Sequence, residues 1–414
     1  MNTAEAGRTS RPLLDLVFFD AGGGHRASAL ALKTVVEQRH QDWQTRMTNL
    51  REVLEPVDPV SKYTGIRIED LYNGMLKRGL TVATGALLRS TQMLIRQLHR
   101  REVARLSRHW FELQPDLVVS MIPNFNRAIL QGLRAADSAA GRTATPMVTV
   151  LTDMADYPPH FWIERQEQYV ICGTAAAARQ ALSMGHAREK VFQTSGMIVR
   201  PEFYDRRKIN RELERTRLGL DPELPTGLVT FGGFGSRRML TIARRLAEAE
   251  SRIQLIFLCG RNEQLRERLA ALELPFPHHI AGFTHEMPLF MRLADFFIGK
   301  PGPGSLSEAL VMGLPVIVER NAFTMVQERF NTDWIRAHGL GIILRSFDDI
   351  LDGVGEMRDR LSEFQGRVAA LSNRAVFEVP EILNSILQSQ PYRAVRSTRA
   401  LVPDHRTREL SLAS

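Results

Sequence analysis

Two doubly wound α/β domains facing a cleft are the fold class predicted by this 414-residue sequence. Three observations predict it. Short apolar runs alternate with helical stretches through both halves, the pattern of parallel strands covered by connecting helices. The rhythm breaks once, in VRPEFYDRRKINRELERTRLGLDPELPTG (199–227), and then restarts. Each half also opens with an apolar strand that runs directly into a glycine-rich turn.

In order along the chain, LLDLVFFD (13–20) is a buried-strand run that ends in AGGGH, and a helix follows from Ala27 to about His40. A strand around WQTRMTNL and a long helical region from roughly 60 to 113 come next. PDLVVSMI (115–122), a helix near 126–136, PMVTVLTD (146–153), QYVICGT (168–174) and VFQTSGM (191–197) complete the first series. In the second series GLVTFGG (227–233) is a strand, RRMLTIARRLAEAE a helix and IQLIFLCG a strand. HIAGFT, ADFFIGK, LPVIVE and GIILRS then supply short strands between further helices. The boundaries expected are a first domain over 13–200, a hinge linker over 201–226 and a second domain with terminal helices over 227–390. Residues 391–414, rich in Arg, Ser, Thr and Pro, read as a disordered tail.

Composition narrows the class. With 44% hydrophobic and 24% charged residues, the chain is neither disordered nor fibrous. No run approaches the roughly 18 apolar residues of a membrane-spanning helix, and the polar start MNTAEAGRTSRP lacks a secretory apolar core. Cys172 and Cys259 sit in apolar runs and read as reduced, buried residues of a cytosolic protein. The net charge of +8 is concentrated: Lys77 to His109 holds eight Lys or Arg and one acid, Glu102. Nucleic acid, an anionic membrane surface and plain water are the partners such a block admits. Leu87, Leu88, Leu94, Ile95 and Leu98 fall on one helix face with Arg89, Arg96 and Arg100 on another, which predicts peripheral attachment. A helix packed on its own domain with a solvated basic side is the alternative.

Three motifs carry chemistry. Asp20-Ala21-Gly22-Gly23-Gly24-His25-Arg26-Ala27-Ser28 joins the first strand to the first helix, where glycines let a ligand approach backbone amides. Its dinucleotide-fingerprint spacing lacks a firm acidic residue after the second strand, Glu52 being the nearest candidate. His25 stands at the mouth of the sheet, where ligands bind. Phe231-Gly232-Gly233-Phe234-Gly235-Ser236 is the equivalent turn of the second half. Gly299-Lys300-Pro301-Gly302-Pro303-Gly304-Ser305-Leu306-Ser307-Glu308 shapes a stiff loop before a helix start that can hold a diphosphate, with Glu308 in reach of ribose hydroxyls. Ser305 and Glu308 also match a Ser-x-x-Glu capping box, the plain structural explanation of both. Gln327, Glu328 and Asn331 lie on a helix after LPVIVE, where a solvated face explains them equally well. No metal-binding spacing, Gly-x-x-x-x-Gly-Lys-Ser/Thr loop or Gly-x-Ser-x-Gly elbow is present, so no metal or other cofactor is expected.

Asp20 to Ser28 resembles the Gly-Gly-Gly-His-Arg-Ala-Ser signature of monogalactosyldiacylglycerol synthases and the processive diacylglycerol glycosyltransferases. Lys300 to Glu308 is similar to that family's Lys-Ala-Gly-Pro-Gly-Thr-x-x-Glu-Ala segment. Thr152-Asp153, Cys259-Gly260-Arg261-Asn262, Gly282-Phe283-Thr284, Gln327-Glu328 and Asn331 keep the family's order. The resemblance runs from about residue 15 to 345. It implies the GT-B architecture of two Rossmann-like domains, shared with the peptidoglycan N-acetylglucosaminyltransferase, the C-terminal one binding a UDP-sugar.

Carried over by position, His25 would deprotonate the acceptor hydroxyl, with Gly23, Gly24 and Asp153 on the acceptor side. Gly233, Gly235, Ser236 and the Pro303, Gly304, Ser305, Leu306 turn would face the diphosphate, with Arg261 and Lys300 in the same donor pocket. Glu308 would take the ribose, Gln327 and Glu328 the sugar hydroxyls, and Phe283 the uracil. Pro301 replaces the family's Ala, Val326 its Gly, and Met154-Ala155-Asp156-Tyr157 depart after Thr-Asp, which bears on sugar and acceptor choice. The expected activity is inverting transfer of a hexose from a UDP-hexose to diacylglycerol, in the cytoplasm at the inner face of the membrane, without nucleic acid. Another acceptor, such as a polyprenyl-linked sugar or a small apolar alcohol, and a UDP-sugar epimerase are the alternatives. A nicotinamide-dependent oxidoreductase would leave the second-half motifs unexplained.

Overall fold

The computed structural model describes residues 11–20, 24–57, 84–205, 207, 209–249 and 252–390, and for 57 and 84–96 the backbone alone. Gly22, Gly23, the segment 58–83 and the tail lie outside the described residues, as do the side chains of Leu87, Leu88, Arg89, Leu94, Ile95 and Arg96 on the basic helix.

Two six-stranded sheets form the frame, with every pairing parallel. The first runs β2-β1-β3-β4-β5-β6, built from β1 (Leu13–Phe18), β2 (Gln44–Asn49), β3 (Leu117–Ser120), β4 (Met147–Val150), β5 (Tyr169–Cys172) and β6 (Val191–Gln193). All six residues of β1 are buried, which is why LLDLVF is a continuous run and not an alternation: helices cover both faces. The helices are α1 (Gly24–Arg39), α2 (Leu50–Leu54), α3 (Thr84–Leu113), α4 (Asn126–Ala139) and α5 (Ala175–Ser183).

The second sheet runs β12-β11-β10-β7-β8-β9, from β7 (Thr226–Thr230), β8 (Gln254–Leu258), β9 (His278–Ala281), β10 (Phe296–Gly299), β11 (Val316–Glu319) and β12 (Gly341–Leu344). The remaining helices are α6 (Arg211–Arg217), α7 (Arg238–Ala247), α8 (Glu263–Ala270), α9 (Met287–Leu293), α10 (Pro303–Val311), α11 (Val326–His338), α12 (Ile350–Asp359), α13 (Leu361–Ala369) and α14 (Ala375–Gln388). Strand order reverses beside β1 in one sheet and between β7 and β10 in the other. Crevices for ligands open at such switch points, beyond the carboxyl ends of the strands.

One boundary expectation, that the terminal helices belong to the second domain, is corrected by the last helix. The expected hinge linker packs on the second domain through α6, because buried Arg215 donates to the carbonyls of Leu293 and Pro222 and pairs with Asp295 at 2.7 Å. Phe203 and Leu220 from the same stretch join that domain's core. The last helix departs in the other direction. Val379, Leu383, Ile386 and Leu387 of α14 are buried in the core of the first sheet, beside Leu32 and Val36 of α1. The chain therefore crosses between domains twice, near 195–204 and 370–375. The crossings are tied by Ser195, which donates to Glu378 at 2.6 Å and accepts from the Arg374 amide at 2.7 Å.

A candidate donor and acceptor cleft

The glycine-rich turn after β7 is shaped by its neighbour after β8. Gly260 has φ +61, and a Cβ there would lie 2.4 Å from the Gly233 carbonyl, so only glycine lets the two loops touch. Gly235, at φ +59, is held against the Cys259 carbonyl, 2.7 Å from where a Cβ would stand. Arg261 donates its amide to Gly233 at 2.8 Å, and its guanidinium lies 4.6 Å from the Phe283 ring centroid. Phe283, after β9, leaves much of its ring exposed, so a flat heteroaromatic group could stack there. Ser236 accepts from the Arg238 amide at the start of α7.

The loop after β10 corrects the capping box. Pro303 occupies the first helical position and starts α10 at Gly302, so Ser305 lies inside the first turn and no side chain caps the helix. Ser305 Oγ donates instead to the Gly302 carbonyl at 3.3 Å. Leu306 points into the core and its amide is bonded to Gly302, which leaves the amides of Gly304 and Ser305 ahead of the first helical bond. Glu308 faces Arg200 of the domain crossing at 3.9 Å, and burial pushes its carboxyl up to about 7 against the pull of that guanidinium.

Gln327, Glu328 and Asn331 do not share a solvated face. Glu328 is buried and pairs with Lys300 at 3.3 Å. Asn331 is fully buried, donates to the Pro301 carbonyl at 2.8 Å, and leaves its Oδ1 without a partner. Gln327, partly exposed, contacts the Met325 sulfur at 3.6 Å. Glu328 and Asn331 thus brace the loop after β10 from the first turns of α11.

Opposite stands His25, the second residue of α1, with Gly24 open beside it. Its Nδ1 lies 2.9 Å from Thr152 Oγ1 and its ring 5.7 Å from Trp162. Burial lowers the imidazole to about 4, with a backbone hydrogen bond at Met121 acting the other way. Asp153 accepts from the Trp162 indole at 2.8 Å. Burial raises that carboxyl to about 7, the Trp162 bond opposing, and the field of Glu328 raises it further while Lys300 lowers it. A first-domain carboxyl thus feels the Lys300–Glu328 pair of the second domain. Buried Asp156 builds the loop between them by accepting from the amides of Trp162 and His160. At the loop's tip Tyr157 meets Phe330 of α11, ring centroids 5.9 Å apart.

The sequence reading missed Trp162, Arg200 and the Tyr157–Phe330 contact. Of these only Trp162 left a trace, as a tryptophan nine residues after Asp153. Cys172 and Cys259 are buried, their thiols pushed up to about 12 and about 11 by burial, and take no part.

Two doubly wound parallel domains meeting at the carboxyl ends of their strands, one with an open helix start after β10, define the GT-B class of α/β protein. Residues 228–331 match the glycosyltransferase family 28 C-terminal domain. The chain is similar over most of its length to monogalactosyldiacylglycerol synthases, as its GGGHRAS and KPGPGS segments indicated. It is 29% identical to synthase 1 of Arabidopsis thaliana over 366 residues, 84% of this chain, and spans 65% of that relative's length. The Spinacia oleracea synthase is likewise 29% identical, over 86% of this chain and 67% of its own. Among solved structures, Acinetobacter baumannii MurG superimposes with a TM-score of 0.57 at 15% identity, over 90% of this chain and 100% of its own. A UDP-GlcNAc 2-epimerase from Neisseria meningitidis, bound to UDP-GlcNAc, gives 0.57 at 14%, over 91% and 100%. These two likenesses are of fold.

Proposed function

We propose that the protein is an inverting glycosyltransferase that moves a hexose from a UDP-sugar to the hydroxyl of diacylglycerol at a membrane surface. The observation that carries this reading is the order of loops along the second sheet. From β9 to β11 the strand ends present Phe283 with Arg261, then the turn at 232–236, then the helix start after Lys300, then Gln327 and Glu328. Those four strand steps span about 19 Å, a run suited to base, diphosphate and sugar in turn. His25 and Asp153 lie across the cleft from the sugar end.

In this reading Glu308 takes the ribose hydroxyls. Gly233, Gly235, Ser236 and the first turn of α10 hold the diphosphate, where a helix N-terminus stabilises the charge that develops on the leaving group. His25 accepts the proton of the acceptor hydroxyl, whose oxygen bonds to the hexose C1 as the bond from C1 to the diphosphate breaks. UDP leaves with the electron pair, and attack from the opposite face inverts the linkage. The synthase relatives support lipid as acceptor. Attachment through the basic block at 77–109 belongs to the same proposal.

A second reading, a UDP-sugar epimerase, draws on Asp153 and Glu328 as acid and base groups beside the sugar. One experiment separates the two: incubation with a panel of UDP-sugars, with and without diacylglycerol, measuring UDP and the mass of the lipid product. Lipid-dependent UDP release with a hexosyl lipid is expected. UDP-sugar converted to its epimer without lipid would overturn transfer.

A further inference from the structure

Resting on that reading, we propose that the Asn321–Val326 turn of the second domain contacts the bilayer that holds the acceptor, its Phe323 and Val326 entering the interfacial layer together with Tyr157 from the first domain. Phe323 is 51% exposed, Tyr157 38% and Val326 36%, Phe323 on the loop after β11, Val326 at the first position of α11 and Tyr157 on the loop after β4. Single exposed apolar residues are ordinary on any protein. Two of them come from two domains and converge: Val326 and Phe330 lie one helical turn apart on one face of α11, and Phe330 meets Tyr157, while Phe323 stands three residues before Val326. They flank the sugar end of the cleft, at the opposite end of the loop series from Phe283.

The turn is also rigidly built. Asn321 Oδ1 accepts from the Phe323 amide at 2.9 Å, and the Asn321 amide donates to Thr324 Oγ1 at 3.0 Å. Arg329 donates to the carbonyls of Ala322 and Thr324, and Asn321 Nδ2 to the Arg345 carbonyl. An aromatic ring held at the tip of such a turn loses little freedom when it is buried by a partner. Charge selects the partner. Arg320 is matched by Asp333, whereas Arg329 and Arg345 have no carboxylate at ion-pair distance among the described residues. An apolar tip with unmatched arginines beside it suits lipid, where the ring reaches the acyl boundary and the guanidinium groups stay at the headgroups.

The test compares wild type with F323S, F323L and R345Q. Vesicles are phosphatidylcholine with diacylglycerol, with or without phosphatidylglycerol, and a short-chain diacylglycerol serves as dissolved acceptor. Expected for F323S is a loss of vesicle binding and of transfer from vesicles of about tenfold or more. UDP affinity and transfer to the dissolved acceptor should stay within about twofold, and F323L should retain binding. R345Q should lose only part of the gain that phosphatidylglycerol confers. Unchanged transfer from vesicles in F323S overturns the inference, as does an equal loss with the dissolved acceptor, or a change of oligomeric state on gel filtration. Should wild type transfer to no lipid at all, the acceptor reading fails, and vesicle binding then decides: equal binding by wild type and F323S overturns the lipid contact as well.

Discussion

His25 and Asp153 differ in the direction burial moves them, and that difference sets what each can do. An imidazole held down to about 4 stays neutral near pH 7, so it can accept a proton without first losing one. His25→Ala should therefore leave UDP affinity and melting temperature nearly unchanged while lowering kcat by about 10²–10⁴-fold. Single-turnover transfer measured beside a thermal melt checks this, and transfer within about threefold of wild type would remove His25 as the base. Asp153 and Glu308 go the other way, both raised to about 7 by burial. The folded chain then binds more protons than the unfolded one between their ordinary values of 3.8 and 4.5 and about 7. Their contribution to stability is complete below the unfolded values and is lost as pH rises through 7. Melting temperature should fall between pH 5 and 8 on that account, and Asp153→Asn should flatten the fall. If the variant melts with an unaltered pH profile, the carboxyl is not buried as described. Glu308→Gln should weaken UDP binding by about 1.5–3 kcal/mol, because a charged acceptor becomes neutral. UDP affinity in the wild type should rise with pH through 7 and lose that dependence in the variant. Titration calorimetry at several pH values reads both.

At the scale of elements, strands were legible because burial on both faces makes their sequences continuous, as in LLDLVF and in QLIFL of β8, buried throughout. Helix starts were less so. Ser305 and Glu308 have the spacing of a capping box, yet Pro303 begins the helix earlier and both side chains turn to other partners. The rule that places proline at the first helical position outranks the capping pattern here, and the sequence held both signals without ranking them. The glycine turns were found as motifs, but which glycine is indispensable depends on loop-to-loop approach. Gly260→Ala should cost about 1–3 kcal/mol from its left-handed backbone alone. It should also push the 232–236 turn away from β8, so that UDP binding falls further than stability does. Equal UDP affinity in a folded Gly260→Ala protein would show that this turn does not hold the nucleotide.

For the whole molecule, the decisive feature is the double crossing. The last helix completes the first domain, so the two halves are not independent beads joined by one linker. Leu383, fully buried against the first sheet, tests this: Leu383→Ala should cost about 2–5 kcal/mol. Chemical denaturation followed by domain-specific probes should show the loss in the first domain's transition. A loss confined to the second domain would place α14 elsewhere.

The sequence by itself determined the two parallel α/β units, the glycine-rich turns that follow their first strands, and the residue types on the loops. These follow from local burial and turn chemistry, which the order of residues encodes directly. Only the tertiary structure decided that Glu328 pairs with Lys300, that Trp162 reaches Asp153, that Arg200 faces Glu308 and that α14 returns to the first sheet. Each of these partners is chosen by packing and shared burial, which no periodicity encodes; only the nine-residue step from Asp153 to Trp162 left a spacing to read.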